Sequence, residues 1–399
     1  MNPGAAYHSA NGPAFLRQGF RLFFPAAGAW ALAAVAIWLA AFQGLVTVPT
    51  AFSPVAWHAH EMIFGFVPAT IAGFLLTAMP NWTGRRPIQG RHLAILFALW
   101  LAGRAAVGTS ALIGAGFAAV VDIAFLAALV GTALREIVAA RNWRNLPIAV
   151  VLAALLAANV LTHLEITGVS ATGATGQRLG IALIVLLVSL IGGRIVPSFT
   201  LNWLRLHAAT RVPAEHGRID TASIVILIVA LGAWVAAPEH PASGVAMILA
   251  AALSLIRLAR WQGHQTLQEP LLWSLHLGYA WVPVGLFLLG AGLFMAGVPA
   301  SSGVHALTAG AIGSMTLAVM TRATLGHSGR ALTADRWTVA IYLFVAAAAA
   351  SRVAAPILAE AYFPLLWVSA ATWIAAFGIF VVRYGRMALA SEAPSGAPA

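Results

Sequence analysis

The sequence predicts an all-α protein, a polytopic integral membrane chain of about twelve transmembrane helices. Three observations carry this. The first is composition: hydrophobic residues make up 61% of the 399 and charged residues 8%, against about 45–50% and about 25% in a soluble globular chain. So few charges cannot cover a soluble surface, so most of this one must face lipid. The second is a series of apolar segments, each long enough to span a bilayer at about 20 residues per crossing. They run at 20–43, 56–80, 91–109, 111–136, 146–166, 178–204, 219–237, 242–260, 270–296, 303–324, 335–355 and 362–384. The third is the placement of the basic residues, all 22 of them arginine.

Taken in order, the elements test one another through those arginines, because positive residues gather in cytoplasmic loops. Arg17 and Arg21 precede span one; Arg85, Arg86 and Arg91 lie between spans two and three; Arg135, Arg141 and Arg144 follow span four. Arg205, Arg211 and Arg218 follow span six, Arg257 and Arg260 span eight, Arg322, Arg330 and Arg336 span ten, and Arg383 and Arg386 span twelve. Only Arg104, Arg178, Arg194 and Arg352 fall elsewhere. A wrong span count would scramble this alternation, so both termini are placed in the cytoplasm. Residues 1–388 then form a single transmembrane domain, and the small, Pro-containing stretch 389–399 is expected to be a disordered cytoplasmic tail. The N-terminus has no basic segment ahead of an apolar core, so no signal peptide is read there.

Spans two, six and ten share a pattern, with glycines at Gly73, Gly192 with Gly193, and Gly310 with Gly313, at spacings of about 120 residues. That recurrence suggests three four-helix arcs; two inverted six-helix halves are the competing architecture. The formal charge of +11 does not point to nucleic acid, because the arginines are spread singly rather than clustered beside stacking aromatics. The chain has no cysteine, which excludes disulfides, iron–sulfur clusters and thiolate-bound metals. A bound metal must rest on histidine, carboxylate or methionine.

Histidine inside a span is rare and usually faces a cavity, a metal or a proton path. Span two opens with Trp57-His58-Ala59-His60-Glu61, span five ends in His163-Leu164-Glu165, and span ten begins near His305. The predicted orientation puts all of these at one outer membrane level. On a helix His58 and Glu61 share a face, whereas His58 and His60 are about 200° apart, so the pair can serve two centres, or one centre and a hydrogen bond. Imidazole suits haem iron and copper, and its second nitrogen needs an acceptor such as Glu61 or Glu165. The candidate ligands are therefore His58, His60, His163 and His305, with Glu61 and Glu165 as proton-carrying catalytic groups. The alternative is that some of these histidines are interfacial and reach to water.

His276, deeper in span nine, is either a core histidine or a ligand of a second centre. Arg194 lies inside span six and is expected to meet a carboxylate, a haem propionate or the carbonyls exposed near Pro197, with a purely structural ion pair as the alternative. Asp122, inside span four, suits a proton path or an arginine partner. Gly326-His327-Ser328-Gly329-Arg330 reads as a helix stop followed by a turn.

These segments together resemble the NnrS family. The resemblance runs in order through Phe20-Arg21-Leu22-Phe23-Phe24, Trp57-His58-Ala59-His60-Glu61-Met62, Pro80-Asn81-Trp82-Thr83-Gly84, Leu161 to Glu165, Gly193 to Thr200, His305-Ala306-Leu307, Thr321-Arg322 and Gly326 to Arg330. It implies a bacterial inner-membrane protein containing haem and copper, linked to nitric-oxide metabolism and protection from nitrosative stress. A more distant likeness, to the catalytic subunit of haem-copper oxidases and nitric-oxide reductases, lies in His60 to Phe74. This sequence lacks their His-Pro-x-x-x-Tyr motif and paired histidines, so that likeness implies architecture only.

The functional expectation is an oxidoreductase that binds nitric oxide and reduces or otherwise disposes of it, with electrons from an external donor. A haem protein that binds or senses nitric oxide without turnover is the alternative, and a transporter is the third class.

Overall fold

The computed structural model describes residues 13–390, and among these there is helix but no strand. Among the described residues, twelve helices are long and apolar enough to cross a membrane. They are α1 (Gly19–Phe42), α2 (Pro54–Thr83), α3 (Arg91–Gly108), α4 (Ala115–Ala139), α5 (Trp143–Ile166) and α6 (Thr175–Leu206). The rest are α7 (Arg218–Ala236), α8 (Pro241–Ala259), α9 (Pro270–Ala291), α10 (Ala300–His327), α11 (Arg336–Ala354) and α12 (Ala359–Leu389). Each coincides with a span expected from the sequence. The chain is thus a multi-pass membrane protein.

Local chemistry sets the ends. The Ser53 hydroxyl accepts from the N–H of Ala56 at 3.3 Å and Pro54 opens α2, the usual pairing of a hydroxyl cap with proline at the first turn. Asp335 caps α11 through Thr338 at 2.9 Å. At the other end of α2, Gly84 takes φ +67° and stops the helix, a conformation that glycine adopts without steric penalty. The 91–136 region, divisible in several ways from sequence, breaks at Thr109, with a short helix Ser110–Ile113 and Gly114 at φ +90° before α4. Helix α10 stops at His327 and Gly329 follows at φ +67°, the expected stop and turn. Helix α12 ends at Leu389; residues 391–399, most of the expected tail, lie outside the described residues.

The chain separates into two compact units. The first holds the chain up to Gly180, with Ala323–Ala331 and the chain from Phe377 onward. Its core is aromatic: Phe20, Phe23, Phe24, Phe64, Phe66, Phe125 and Phe377 are fully buried. Phe23 stacks on Phe125 with ring centroids 5.9 Å apart. Gly73 lies beneath the Phe24 ring, where any Cβ would collide with it. Here α1 packs on α2, α3 on α4 and α4 on α5. The second unit holds Ile181–Arg322 and Leu332–Ala376, with α7 on α8, α8 on α9 and α9 on α10. Large apolar side chains such as Phe117, Val120, Val150, Val225, Leu249 and Phe287 are exposed, as lipid-facing positions require.

Of the three spans with the recurring glycine pattern, two share a further feature. Helix α2 widens to a π-helix over Glu61–Phe66, and α10 does so over Ala306–Gly313. Each wide turn begins directly after a histidine, His60 or His305. Such turns concentrate at functional sites. Helix α6 has none.

Candidate metal centre

Five polar side chains meet in the first unit at the start of the α2 wide turn, all of them withdrawn from the surface. His60 and Glu61 are 0% exposed, Asn159 1%, Asp122 2% and His163 3%. They come from three helices: His60 and Glu61 from α2, Asp122 from α4, and Asn159 with His163, one turn apart, from α5. Short connections keep α3, α4 and α5 adjacent, so their polar positions converge at one depth.

Asp122 is the hub. Its Oδ2 accepts from His163 Nε2 at 2.9 Å and from Asn159 Nδ2 at 2.8 Å, and it lies 3.3 Å from His60 Nε2. Its Oδ1 takes a hydrogen bond from the Arg104 guanidinium of α3. The same guanidinium bonds Glu61 Oε2 at 2.5 Å, so one arginine bridges two buried carboxylates. Glu61 Oε2 also accepts from Trp30 Nε1 of α1 at 2.8 Å, and its Oε1 holds His60 Nδ1 at 3.3 Å. His60 Nε2 also meets Asn159 Oδ1 at 3.1 Å. An unpaired charge at this depth would be strongly unfavourable. Here each carboxylate has the guanidinium and at least two further donors.

Gly65 makes the convergence possible. A Cβ there would fall 2.5 Å from Arg104 Nη1, 2.7 Å from Glu61 Oε2 and 3.0 Å from Trp30 Nε1. The Gly65 carbonyl accepts from Trp100 Nε1 at 2.9 Å, which ties the wide turn to α3. Trp30 meets both Trp57 and Trp100 edge-on, with centroids 6.5 Å and 6.4 Å away.

One ligand atom from each of His60, Asp122 and His163 lies within 4.8 Å of the other two. Two imidazoles and a carboxylate, buried and convergent, form a donor set for a first-row transition ion. The further requirement of a metal site, partners that orient its ligands, is met by Glu61 on His60 and by Asn159 and Arg104 on Asp122.

Of the histidines expected at one outer level, the site brings together two. His58 is turned to the other side of α2, as the angle of about 200° from His60 requires, and stacks on Trp38 at 4.3 Å. His305 belongs to the second unit, where its Nδ1 donates to the Ser301 carbonyl at 2.7 Å. Glu165 is engaged in its own loop: it accepts from the Thr172 hydroxyl at 2.6 Å and from the Ala174 N–H at 3.0 Å. Ala174 sits at φ +62°, an uncommon conformation for a residue with a Cβ, and the carboxylate braces it.

His276, also in the second unit, bonds Thr200 Oγ1 through Nε2 at 2.9 Å, while Gly263 lies against its Nδ1 edge. Nε2 is thus engaged, whereas Nδ1 is buried without a hydrogen-bond partner. Beside it is a separate ionic nest in which Arg257 donates to Asp220 at 3.1 Å, to the Ser189 carbonyl at 3.0 Å and to the Tyr279 hydroxyl at 3.3 Å. Arg194 is exposed on α6 rather than buried against an acid. The arginine that does bridge buried acids is Arg104.

Asn159 and Trp30 were not singled out from sequence, and Asp122 was singled out only as a proton group or as the partner of an arginine, which it finds in Arg104. The signal was present in part: Arg104, Asp122 and Asn159 are polar residues inside three consecutive spans, at the same depth as His60 and His163.

No curated protein matches the chain by sequence. The sequence model of the family described as NnrS protein matches residues 14–391. With nearly the whole length covered, the chain belongs to the NnrS family.

Proposed function

We propose that this protein holds copper at His60, Asp122 and His163, and that the centre binds nitric oxide and disposes of it by reduction with electrons from an external donor. On this reading it protects a bacterial cell from nitrosative stress from within the inner membrane, with both termini cytoplasmic as the arginine alternation suggests. The observation that carries the proposal is the convergence of three buried ligand atoms within 4.8 Å, backed by an ion-paired shell that orients them. When bound, copper supplies a redox-active Lewis acid suited to a small ligand.

The residues of the chain do the rest. Glu61 fixes the His60 ring through Nδ1 and so directs Nε2 toward Asp122 and Asn159. Arg104 holds both carboxylates and offsets their charge. Trp57 and Trp100, both 3% exposed, pack beside Trp30 at the edge of the site. Nitric oxide is small, neutral and lipid-soluble, so it reaches such a site through the apolar helices without a polar channel. Of the two carboxylates expected to carry protons, Glu61 is the one that touches a ligand histidine; Glu165 is a loop brace.

Haem is the second cofactor the family resemblance implies. At His276, Nε2 is held by Thr200 while the buried Nδ1 has no hydrogen-bond partner, so haem ligation there would rest on Nδ1, on the side of Gly263. The proposal is tested by purifying the protein in detergent and recording its optical spectrum and metal content, oxidised, reduced, and reduced with nitric oxide. Copper, spectral change on adding nitric oxide, and its consumption under a reducing donor are the expected results. Binding without consumption would favour a sensing or buffering role, and a metal-free protein that resists reconstitution would overturn the proposal.

A further inference from the structure

Helix α6 is the longest span, 32 residues or about 48 Å at 1.5 Å per residue, against a hydrocarbon core of about 30 Å. Over its second half it carries Arg194, Ser198, Asn202 and Arg205, all exposed. Successive steps of four, four and three residues keep these within an arc of about 80°. They form a polar stripe along a membrane helix, made largely of hydrogen-bond donors and bearing two positive charges. Arg194, Ser198 and Asn202 have no side-chain partner among the described residues. Beside the stripe, Arg322 of α10 lies over the Phe199 ring at 4.2 Å, adding a third guanidinium to this face of the second unit.

Such a stripe is unfavourable against hydrocarbon, so something of complementary chemistry must lie on it. A second copy of the chain is a poor match. Of the acidic side chains within the spans, Glu61, Asp122, Glu136 and Asp220 are buried, and Glu165 braces its own loop. The exposed Glu360 stands at the start of α12, the opposite membrane level from the arginine-rich end of α6; matching the stripe to itself would set arginine against arginine. Depth narrows the choice further. Arg194 stands 12 residues before the end of α6 at Leu206, or about 18 Å along the axis. The helix exceeds the core by a similar length, and the arginines at and after its C-terminal end, Arg205, Arg211 and Arg218, place that excess in the headgroup layer there. A long arginine side chain reaches that layer from just inside the hydrocarbon.

We infer that the α6 stripe is a binding site for an anionic phospholipid of the leaflet at the arginine-rich end. The phosphate is held by the Arg194 and Arg205 guanidinia, the polar headgroup lies over Ser198 and Asn202, and the acyl chains follow the apolar flanks of α6. Basic positions between helices on the cytoplasmic side recognise anionic headgroups in this way.

The experiment titrates delipidated, detergent-purified protein with phosphatidylglycerol and with phosphatidylcholine and counts bound lipids by native mass spectrometry. The wild-type chain is expected to bind phosphatidylglycerol more tightly. Arg194→Gln should weaken that binding about five-fold without altering phosphatidylcholine binding, and Arg194→Lys should retain most of the preference. Equal affinity for the two lipids in the wild type, or a preference unchanged in Arg194→Gln, would overturn the assignment. A drop in bound cofactor in Arg194→Gln with lipid binding intact would overturn it in favour of a cofactor carboxylate. Because the chain has no cysteine, Ser198→Cys gives a single thiol; efficient disulfide cross-linking between copies through it would overturn it in favour of a protein interface.

Discussion

The imidazoles of His60 and His163 stand with ring centroids 5.0 Å apart, and both direct Nε2 at the same oxygen, Oδ2 of Asp122. The two histidines come from helices separated in sequence by α3 and α4, and it is Asp122, from the second of these, that joins them. A histidine pair sharing one buried carboxylate oxygen is an arrangement that a cation can enter by displacing protons, since ligating imidazole and carboxylate must be deprotonated.

The arginine bridge makes the site sensitive to charge. Arg104→Met leaves Glu61 and Asp122 without their shared cation, and breaking a buried ion pair costs about 3–5 kcal/mol. The expected result is a large fall in the midpoint of thermal unfolding in detergent. Adding Glu61→Gln to that variant should recover part of the loss, because the two changes act on one network. An Arg104→Met protein as stable as the wild type would contradict the ion-paired arrangement.

Gly65 should tolerate no side chain. In Gly65→Ala the new methyl would meet Arg104, Glu61 and Trp30 together, and overpacking of this kind costs about 1–3 kcal/mol. Bound copper should fall along with stability, since Glu61 must shift and His60 with it. Unchanged copper binding would mean that Glu61 does not orient the ligand ring.

Glu165 is expected to behave as a structural residue. Glu165→Gln weakens the brace on Ala174 and should lower stability by about 1 kcal/mol, leaving copper content and nitric-oxide consumption as in the wild type. Ala174→Gly, which suits φ +62°, should offset part of that loss. A loss of turnover in Glu165→Gln with copper intact would return this carboxylate to the proton path.

His276 offers a parallel control in the second unit. His276→Phe breaks the bond to Thr200 and presses on Gly263, so a drop in thermal stability is expected with copper content unchanged. Copper lost in this variant would point to a ligand role for its unpartnered Nδ1.

Much of the fold was legible because lipid imposes a simple rule: long apolar stretches punctuated by arginine. All twelve spans follow from it, with errors only at ends such as Pro54, where a serine cap and proline start the helix earlier, and Leu389. The site was legible to the extent that depth could be read from topology. His60 and His163 were placed together on that ground, and the opposed faces of His58 and His60 followed from helical geometry.

Depth alone does not say which way a side chain turns, however. His58 turned to Trp38, Glu165 turned to its loop, and Arg194 turned outward, though each had been expected at a site or in a buried pair. The wide turn at Glu61–Phe66 was not readable, because Met62 to Phe66 are apolar residues that suit an ordinary helix equally well. It depends on Gly65 admitting Arg104 and Trp30 from other helices beside Glu61 of its own, and on Trp100 holding its carbonyl.

The central claim is that His60, Asp122 and His163 form one copper centre. The measurement that meets it most directly is the copper content of wild-type protein and of His60→Ala and His163→Ala variants, purified intact from copper-supplemented cells. Stoichiometric copper in the wild type and near-complete loss in each folded single variant is the predicted result. Copper retained in both variants, or absent from a folded wild-type protein, would contradict it.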